Sequence, residues 1–181
     1  MLERCRLFLL IALGETVLRT GMAIAAALMT LMTLVTGTVA LAGTVALWAL
    51  NFGRSRRLTL YYLEETRNPI RTGRYAVNAL IVMLAGLIAV AVANEMVIAH
   101  PYGDTSATLS LLLYGGPILY LVAQGWYLWA VPQDSPRLRL IGSAVLVLVG
   151  FTALTAPPYV ALILVGASLT ALAIIDRQMT K

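Results

Sequence analysis

Lysine, histidine and cysteine are nearly absent from this 181-residue chain, and each scarcity excludes a class of chemistry. The single lysine, Lys181, is the last residue, which excludes a retinal Schiff base inside a helical bundle. One histidine, His100, and one cysteine, Cys5, cannot build a conventional zinc site or ligate a haem from both sides within one chain. The sequence therefore predicts no metal, no cofactor and no intrachain disulfide.

Charge is scarce as well. Charged residues make up 12% of the chain and apolar residues 60%, against roughly 25% and 45–50% in a soluble domain. Uncharged apolar stretches of about 20 residues alternate with short polar connections, which indicates a polytopic membrane protein. No glycine-rich phosphate loop and no Ser/His/Asp constellation is readable, so the pattern favours a role other than catalysis.

The predicted fold class is all-α, a polytopic membrane helix bundle forming one membrane domain over residues 1–181. Pro157 and Pro158 form a firm break, because proline lacks an N–H donor and cannot sit inside a regular helix. The first connection is the weakest boundary, since the segment at 21–30 is itself apolar. The six predicted transmembrane helices cover residues 7–24, 31–52, 75–99, 107–131, 138–155 and 159–175.

Basic residues are expected on one side of these six helices, and the opposite connections contain neither lysine nor arginine. By the positive-inside rule, both termini face the cytoplasm, and the protein lies in a bacterial cytoplasmic (inner) membrane. This topology explains the pI of about 9.7, so we expect membrane lipids as partners and no nucleic acid. The basic residues of the cytoplasmic side are Arg4, Arg6, Arg54, Arg56, Arg57, Arg67, Arg71, Arg74, Arg137, Arg139, Arg177 and Lys181.

Two ionisable residues interrupt the first predicted helix, Glu15 near its middle and Arg19 one turn further. A charge at mid-membrane costs about 2.5–3.5 kcal/mol, whereas a large apolar residue returns about 0.3–0.6 kcal/mol. The two charges therefore roughly cancel the apolar gain of this helix. At positions i and i+4 the two side chains can pair with each other, and we expect them to face protein or water rather than lipid.

The third predicted helix adds polar residues at both ends. Glu95 belongs to the same outer half of the membrane as Arg19, which makes an Arg19–Glu95 pair geometrically possible. Two interpretations remain open: a buried ion pair that sets helix register, or a polar cavity or ion path. The candidate residues for that cavity or path are Glu15, Arg19, Asn78, Asn94, Glu95 and His100.

A kink is predicted in the fourth helix at Gly115, Gly116 and Pro117. Proline frees the carbonyl about one turn earlier, and the glycines let the chain bend. The kink is either packed against a neighbouring helix or opens backbone carbonyls to a substrate or ion, as in transporters.

Several segments, taken in order, resemble the bacterial low-temperature-requirement A family. ERCRLFLLIALGETVLRTG (3–21) is similar to the family's ERFGLF…ALGES segment, and WALNFGR (48–54) to its WWLYFDR-like segment. ANEMVIAHP (93–101) and LLLYGGPILYL (111–121) resemble two further segments. The likeness covers essentially the whole chain and implies a membrane protein of that family.

This chain departs from the family pattern at two positions, and the departures put the family's activity in doubt here. The acidic residue at the end of the second helix is Gly53, and a frequent histidine early in the third helix is Asn78. Family members are typically about twice as long, and this chain resembles their C-terminal half. The resemblance therefore implies a homodimer or a companion half-protein.

Three functions are compatible with these observations. The first is a transporter-like or channel-like protein that moves a proton, an ion or a small solute through a polar cavity. The second is a lipid-binding or lipid-modifying membrane protein that uses the same cavity for a headgroup or acyl chain. The third is a structural or assembly subunit whose charges only orient helices. The intramembrane charges favour the first.

Overall fold

The computed structural model describes residues 2–52, 69–103, 106–130, 137–152 and 156–178. Within these ranges every regular element is a helix, and the prediction of an all-α fold with six helices is confirmed. Gly53 and the connection around it lie outside the described residues. The helices are α1 (Leu2–Ala26), α2 (Leu31–Phe52), α3 (Pro69–Ala99), α4 (Ala107–Ala130), α5 (Arg137–Thr152) and α6 (Pro158–Gln178).

The observed helix boundaries differ most from the predicted ones at the helix starts. Helix α3 begins at Pro69, six residues before the predicted start, because a proline in the first helical turn has no N–H that the helix needs. Pro158 likewise opens α6 after the diproline break. Helix α4 starts after Ser106, whose hydroxyl caps it by accepting the N–H of Leu109 at 3.1 Å.

Five of the described helices are long and apolar enough to cross a bilayer. The exception is α5, whose described part has 16 residues and is about 24 Å long at 1.5 Å per residue, against a hydrocarbon core of about 30 Å. The spans by length and composition are Leu7–Ala26, Leu31–Asn51, Val77–Ala99, Ala107–Leu128 and Pro158–Gln178.

The six helices close into a ring in the order α1, α2, α6, α5, α4, α3, with each helix contacting the next and α3 contacting α1. Helices α2, α3, α4 and α6 also touch across the middle, whereas α1 and α5 lie on opposite sides of the ring. The core consists mainly of leucine, valine and alanine from all six helices. Burial is therefore greatest around the four central helices and least at α1.

The most extensive contact joins α3 and α4 and depends on glycine. A Cβ placed on Gly86 would lie 2.8 Å from the carbonyl oxygen of Gly116, and one on Gly116 would lie 3.0 Å from the backbone nitrogen of Val90. Small residues let the two backbones approach directly. The same residues show that α3 and α4 run antiparallel, since Gly86 also approaches Tyr120.

Buried threonines on α1 and α2 place hydroxyls in the apolar interior, and each hydroxyl is hydrogen-bonded within its own helix. Thr16, Thr20 and Thr44 donate to the carbonyl one turn earlier in their own helices at 2.8–3.0 Å. Each is at most 2% exposed. Because the bond is made within the helix, these hydroxyls need no partner from a neighbouring helix.

Candidate functional site

The structure brings together three of the predicted site residues on α1 and α3. Arg19 Nε donates to Glu15 Oε1 at 3.0 Å, and Arg19 Nη1 lies 3.9 Å from Glu95 Oε2. Both predicted pairs are therefore present. We call Glu15, Arg19 and Glu95 the charged ridge. Because α1 and α3 run side by side here, one arginine lies between two carboxylates from different helices.

The charged ridge lies at membrane depth but faces out of the bundle. Glu15 is close to the middle of the span Leu7–Ala26, and Glu95 is four residues before the end of the span Val77–Ala99. The side chains of Arg19 and of both glutamates are 53–54% exposed in this single chain. The described helices of this single chain therefore do not enclose these charges.

Asn94 precedes Glu95 in sequence but points into the centre of the ring. It is 3% exposed, and its Nδ2 finds no hydrogen-bond partner among the described residues. It lines a cavity of about 20 Å³ beside Pro117 and Leu113, which is room for one water. Proline leaves the carbonyl four residues earlier, that of Leu113, without its helical N–H partner.

The kink residues, Asn78 and His100 lie in different parts of the structure. Helix α4 continues through Pro117 without interruption, and Gly116 packs against α3. Asn78 is exposed on α3, 17 residues from Glu95 and thus about 25 Å along the helix. His100 follows α3 in an exposed turn. The structure thus does not gather Asn78 with the charged ridge.

A second polar cluster was missed by the sequence analysis, and it joins four helices at one end of the bundle. The Arg139 guanidinium on α5 donates to Asp176 of α6 from Nη1 at 2.5 Å and from Nη2 at 3.3 Å. Its Nε donates to Gln124 Oε1 of α4 at 3.1 Å, and Nη2 donates to the Leu50 carbonyl of α2 at 2.9 Å. We call these four residues the arginine clamp.

The arginine clamp is buried and its geometry is complete. Arg139 and Asp176 are 4% and 3% exposed, and all three guanidinium nitrogens donate. The Leu50 carbonyl lies in the last turn of α2 and also accepts Gln124 Nε2 at 2.9 Å. A helix C-terminus carries unpaired carbonyls and partial negative charge, which suits an arginine.

Sequence reasoning grouped Arg139 with the basic residues of the cytoplasmic side, and the structure adds that Arg139 is a buried partner of Asp176. The sequence contained one indication of this pair. Asp176 is the sole acidic residue of α6, and it lies one residue beyond the predicted end of that helix. Pairing it with Arg139 requires knowing that α5 and α6 are antiparallel neighbours. Periodicity along one helix does not contain that information.

An apolar groove of about 380 Å³ opens on the outside of the bundle between α4 and α5. Leu111 and Phe151 line it and are largely exposed, whereas Tyr114 is buried at its base. The Tyr114 hydroxyl has no hydrogen-bond partner among the described residues. Ser110 and Tyr114 are the lining residues that carry a hydroxyl, and the rest of the lining is apolar.

No cluster of three or more histidine, cysteine, aspartate or glutamate side chains in the described ranges has the arrangement of a metal site. The candidate sites in the described residues are the charged ridge, the arginine clamp, the Asn94 cavity and the groove. With five described helices long and apolar enough to cross a bilayer, the chain is a multi-pass integral membrane protein.

The chain belongs to the bacterial low temperature requirement A protein (LtrA) family, whose model matches residues 1–174. Among curated proteins, it is 30% identical over 145 residues to the uncharacterized protein RA0937 of Rhizobium meliloti (strain 1021). That match covers 80% of this chain but 36% of the relative, so the chain spans about a third of that protein's length. No solved structure gives a significant match.

Proposed function

We propose that this chain is part of a membrane transport protein that moves a proton, an inorganic ion or a small polar solute past the charged ridge. The observation that supports this is the position of Glu15, Arg19 and Glu95: they lie at membrane depth and are half exposed in the single chain. Charges that only set helix register are expected to be enclosed by the bundle, as those of the arginine clamp are. Ionisable groups open to a hydrated path typify proton and ion routes.

The proposed setting is the bacterial cytoplasmic membrane with both termini in the cytoplasm. The arginine distribution supports this orientation, because short loops rich in arginine stay on the cytoplasmic side. In that orientation the arginine clamp lies at the cytoplasmic end of the bundle. The charged ridge spans the middle and outer half of the membrane, where a solute entering from outside first meets ionisable side chains.

The test is flux into proteoliposomes loaded with a pH-sensitive dye or with a dye for sodium or potassium. The wild-type chain is expected to pass one of these ions, and Glu15→Gln to slow that flux at least tenfold, because the amide keeps the shape and removes the charge. Thr38→Val is the matched control. Thr38 is exposed on α2, and its hydroxyl bonds only to the carbonyl of Leu34 on the same helix among the described residues.

Equal flux through wild type and Glu15→Gln contradicts a role for the charged ridge in transport. Absence of any flux through the wild type contradicts transport of protons, sodium and potassium by this chain. Circular dichroism on each variant separates a loss of flux from a loss of fold.

The groove between α4 and α5 favours a second candidate, binding of a lipid acyl chain. Its walls are mostly apolar, and it opens where lipid surrounds the bundle. Leu111→Trp fills the groove, whereas Leu148→Trp adds the same bulk on the exposed face of α5 away from it. If lipid binds there, lipid in fixed stoichiometry accompanies wild type and Leu148→Trp and is lost from Leu111→Trp. Equal lipid content in all three contradicts it.

A further inference from the structure

The four central helices of the ring meet around the Asn94 cavity. Gly43 of α2 and Gly166 of α6 approach each other there, since a Cβ on Gly43 would lie 4.0 Å from the Gly166 Cα. Asn94 lines the cavity from α3 and Pro117 lines it from α4. The volume of about 20 Å³ is enough for one water molecule and too small for a larger solute.

Asn94 is the polar side chain among the described residues that line this cavity. It is 3% exposed, and its Nδ2 has no hydrogen-bond partner among the described residues. The buried threonines of α1 and α2 avoid this cost by bonding to their own helices. A buried donor without an acceptor is strongly unfavourable, so an acceptor for Asn94 Nδ2 is expected, and the cavity beside it has room for one.

The kink in α4 supplies a second group that needs a partner. Because Pro117 has no N–H, the carbonyl of Leu113 lacks its usual helical donor. Helices α3 and α4 run antiparallel, and a Cβ on Gly116 would lie 3.0 Å from the Val90 nitrogen. One turn beyond that contact, Asn94 on α3 comes opposite Leu113 on α4. Both residues line the cavity.

We propose that this cavity is a binding site for one water molecule, which accepts a hydrogen bond from Asn94 Nδ2 and donates one to the carbonyl of Leu113. Water fits because it accepts and donates at once and matches the volume. A metal cation fits poorly, since Nδ2 presents protons to the cavity and no acidic side chain is among its described lining residues.

The bound water explains how the bundle tolerates a proline and an asparagine in its centre. It links α3 to α4 one turn beyond the glycine contact of these helices and gives each buried polar group a partner. The kink is then neither fully packed nor open to a solute, because a single water occupies the space. The site does not depend on transport past the charged ridge.

The first experiment detects the water by NMR on the full chain in lipid nanodiscs, with asparagine labelled by ¹⁵N. Loss of one side-chain amide signal in Asn94→Ala assigns the signal of Asn94. In the wild type, the Asn94 amide protons are expected to show a cross-peak to water with the signature of a bound rather than a freely diffusing molecule. A wild type without this cross-peak overturns the proposal.

A second experiment fills the cavity. Gly43 lines it, and a methyl there makes only the ordinary contact with the Gly166 Cα at 4.0 Å among the described residues. Gly43→Ala should remove the cross-peak and raise the equilibrium constant for unfolding about tenfold, because Asn94 Nδ2 loses its acceptor. Gly14→Ala is the matched control, since nothing lies within 4 Å of its new Cβ. If Gly43→Ala is as stable as this control, or more stable, the cavity is dry and the proposal fails.

The bridge to Leu113 is tested in a Pro117→Ala background, where the new N–H at position 117 can bond the Leu113 carbonyl within the helix. The cost of Gly43→Ala should then be smaller than in the wild type, because one of the two groups no longer needs the water. An equal cost in both backgrounds contradicts the bridge. The wild-type cross-peak remains decisive if a variant does not fold.

Discussion

The arginine clamp and the charged ridge place an arginine between acceptors from neighbouring helices, but in opposite environments. Arg139 is 4% exposed and donates from all three of its nitrogens. The Arg19 side chain is 54% exposed and donates from one. The comparison shows that similar residues differ in burial: the clamp joins four helices inside the bundle, whereas the ridge is half exposed on its outside.

The glycines of the two regions differ in the same way. Gly86 and Gly116 form the contact between α3 and α4, whereas Gly14 and Gly21 face open space. The two glycines of the α3–α4 contact are packed against a neighbouring backbone, whereas the two glycines of α1 have no neighbour within 4 Å. Substitutions in each region therefore test whether the more buried region also contributes more to the free energy of unfolding.

The largest effect is expected from Asp176→Ala. The variant leaves Arg139 buried without its carboxylate, and breaking a buried ion pair from one side costs about 3–5 kcal/mol. The measurement is the free energy of unfolding, from SDS titration of protein in mixed micelles followed by circular dichroism.

The control for this variant is the double substitution Asp176→Leu with Arg139→Met, which removes both charges. It should recover much of the lost stability, since an apolar pair in place of a buried ion pair is often close to neutral. A single variant as stable as the wild type would show that the clamp does not hold the helices together.

An intermediate effect is expected from Gly86→Ala. Its new Cβ meets the Gly116 carbonyl oxygen, which is backbone and cannot swing aside, so α3 and α4 must separate. Overpacking of this kind costs about 1–3 kcal/mol. Gly115→Ala is the matched control, because its nearest neighbour is a Leu111 methyl at 3.8 Å. In the same titration the control should be neutral or more stable, and equal losses in both variants would refute close packing as the cause.

The smallest effect on stability is expected from Glu15→Gln in monodisperse single chains. Glutamine keeps an oxygen that can accept from Arg19 Nε, so the free energy of unfolding should change far less than in Asp176→Ala. The same titration measures it beside Asp176→Ala. A loss as large as that of Asp176→Ala would mean that the ridge stabilises the single bundle, and the contrast between the two regions would fail.

Much of the fold was predictable because a bilayer imposes length and apolarity on each span. The second predicted helix, 31–52, coincides with α2, although the apolar connection before it made its start the weakest boundary. The start of α3 was placed six residues late because Arg71 and Arg74 were taken as loop residues, although both lie within the helix. Long basic side chains are tolerated at the end of a membrane helix, where they reach the interface.

The charged ridge was partly predictable for a similar reason. Glu15 and Arg19 are neighbours on one helix, so spacing alone predicted their contact, and equal depth in the membrane suggested Glu95. Spacing did not predict that the ridge faces outward. The direction depends on which side of α1 meets α2 and α3, and that is settled by packing among helices distant in sequence.

The sequence by itself determined that this protein is a bundle of apolar helices with few charges at membrane depth, because each helix satisfies its own backbone and its composition must match the surrounding lipid. Only the tertiary structure decided which of those charges are enclosed. Arg139 and Asp176 are 37 residues apart and meet because α5 and α6 are neighbours in the ring. Composition and periodicity describe one helix at a time, whereas enclosure is a property of the helices around it.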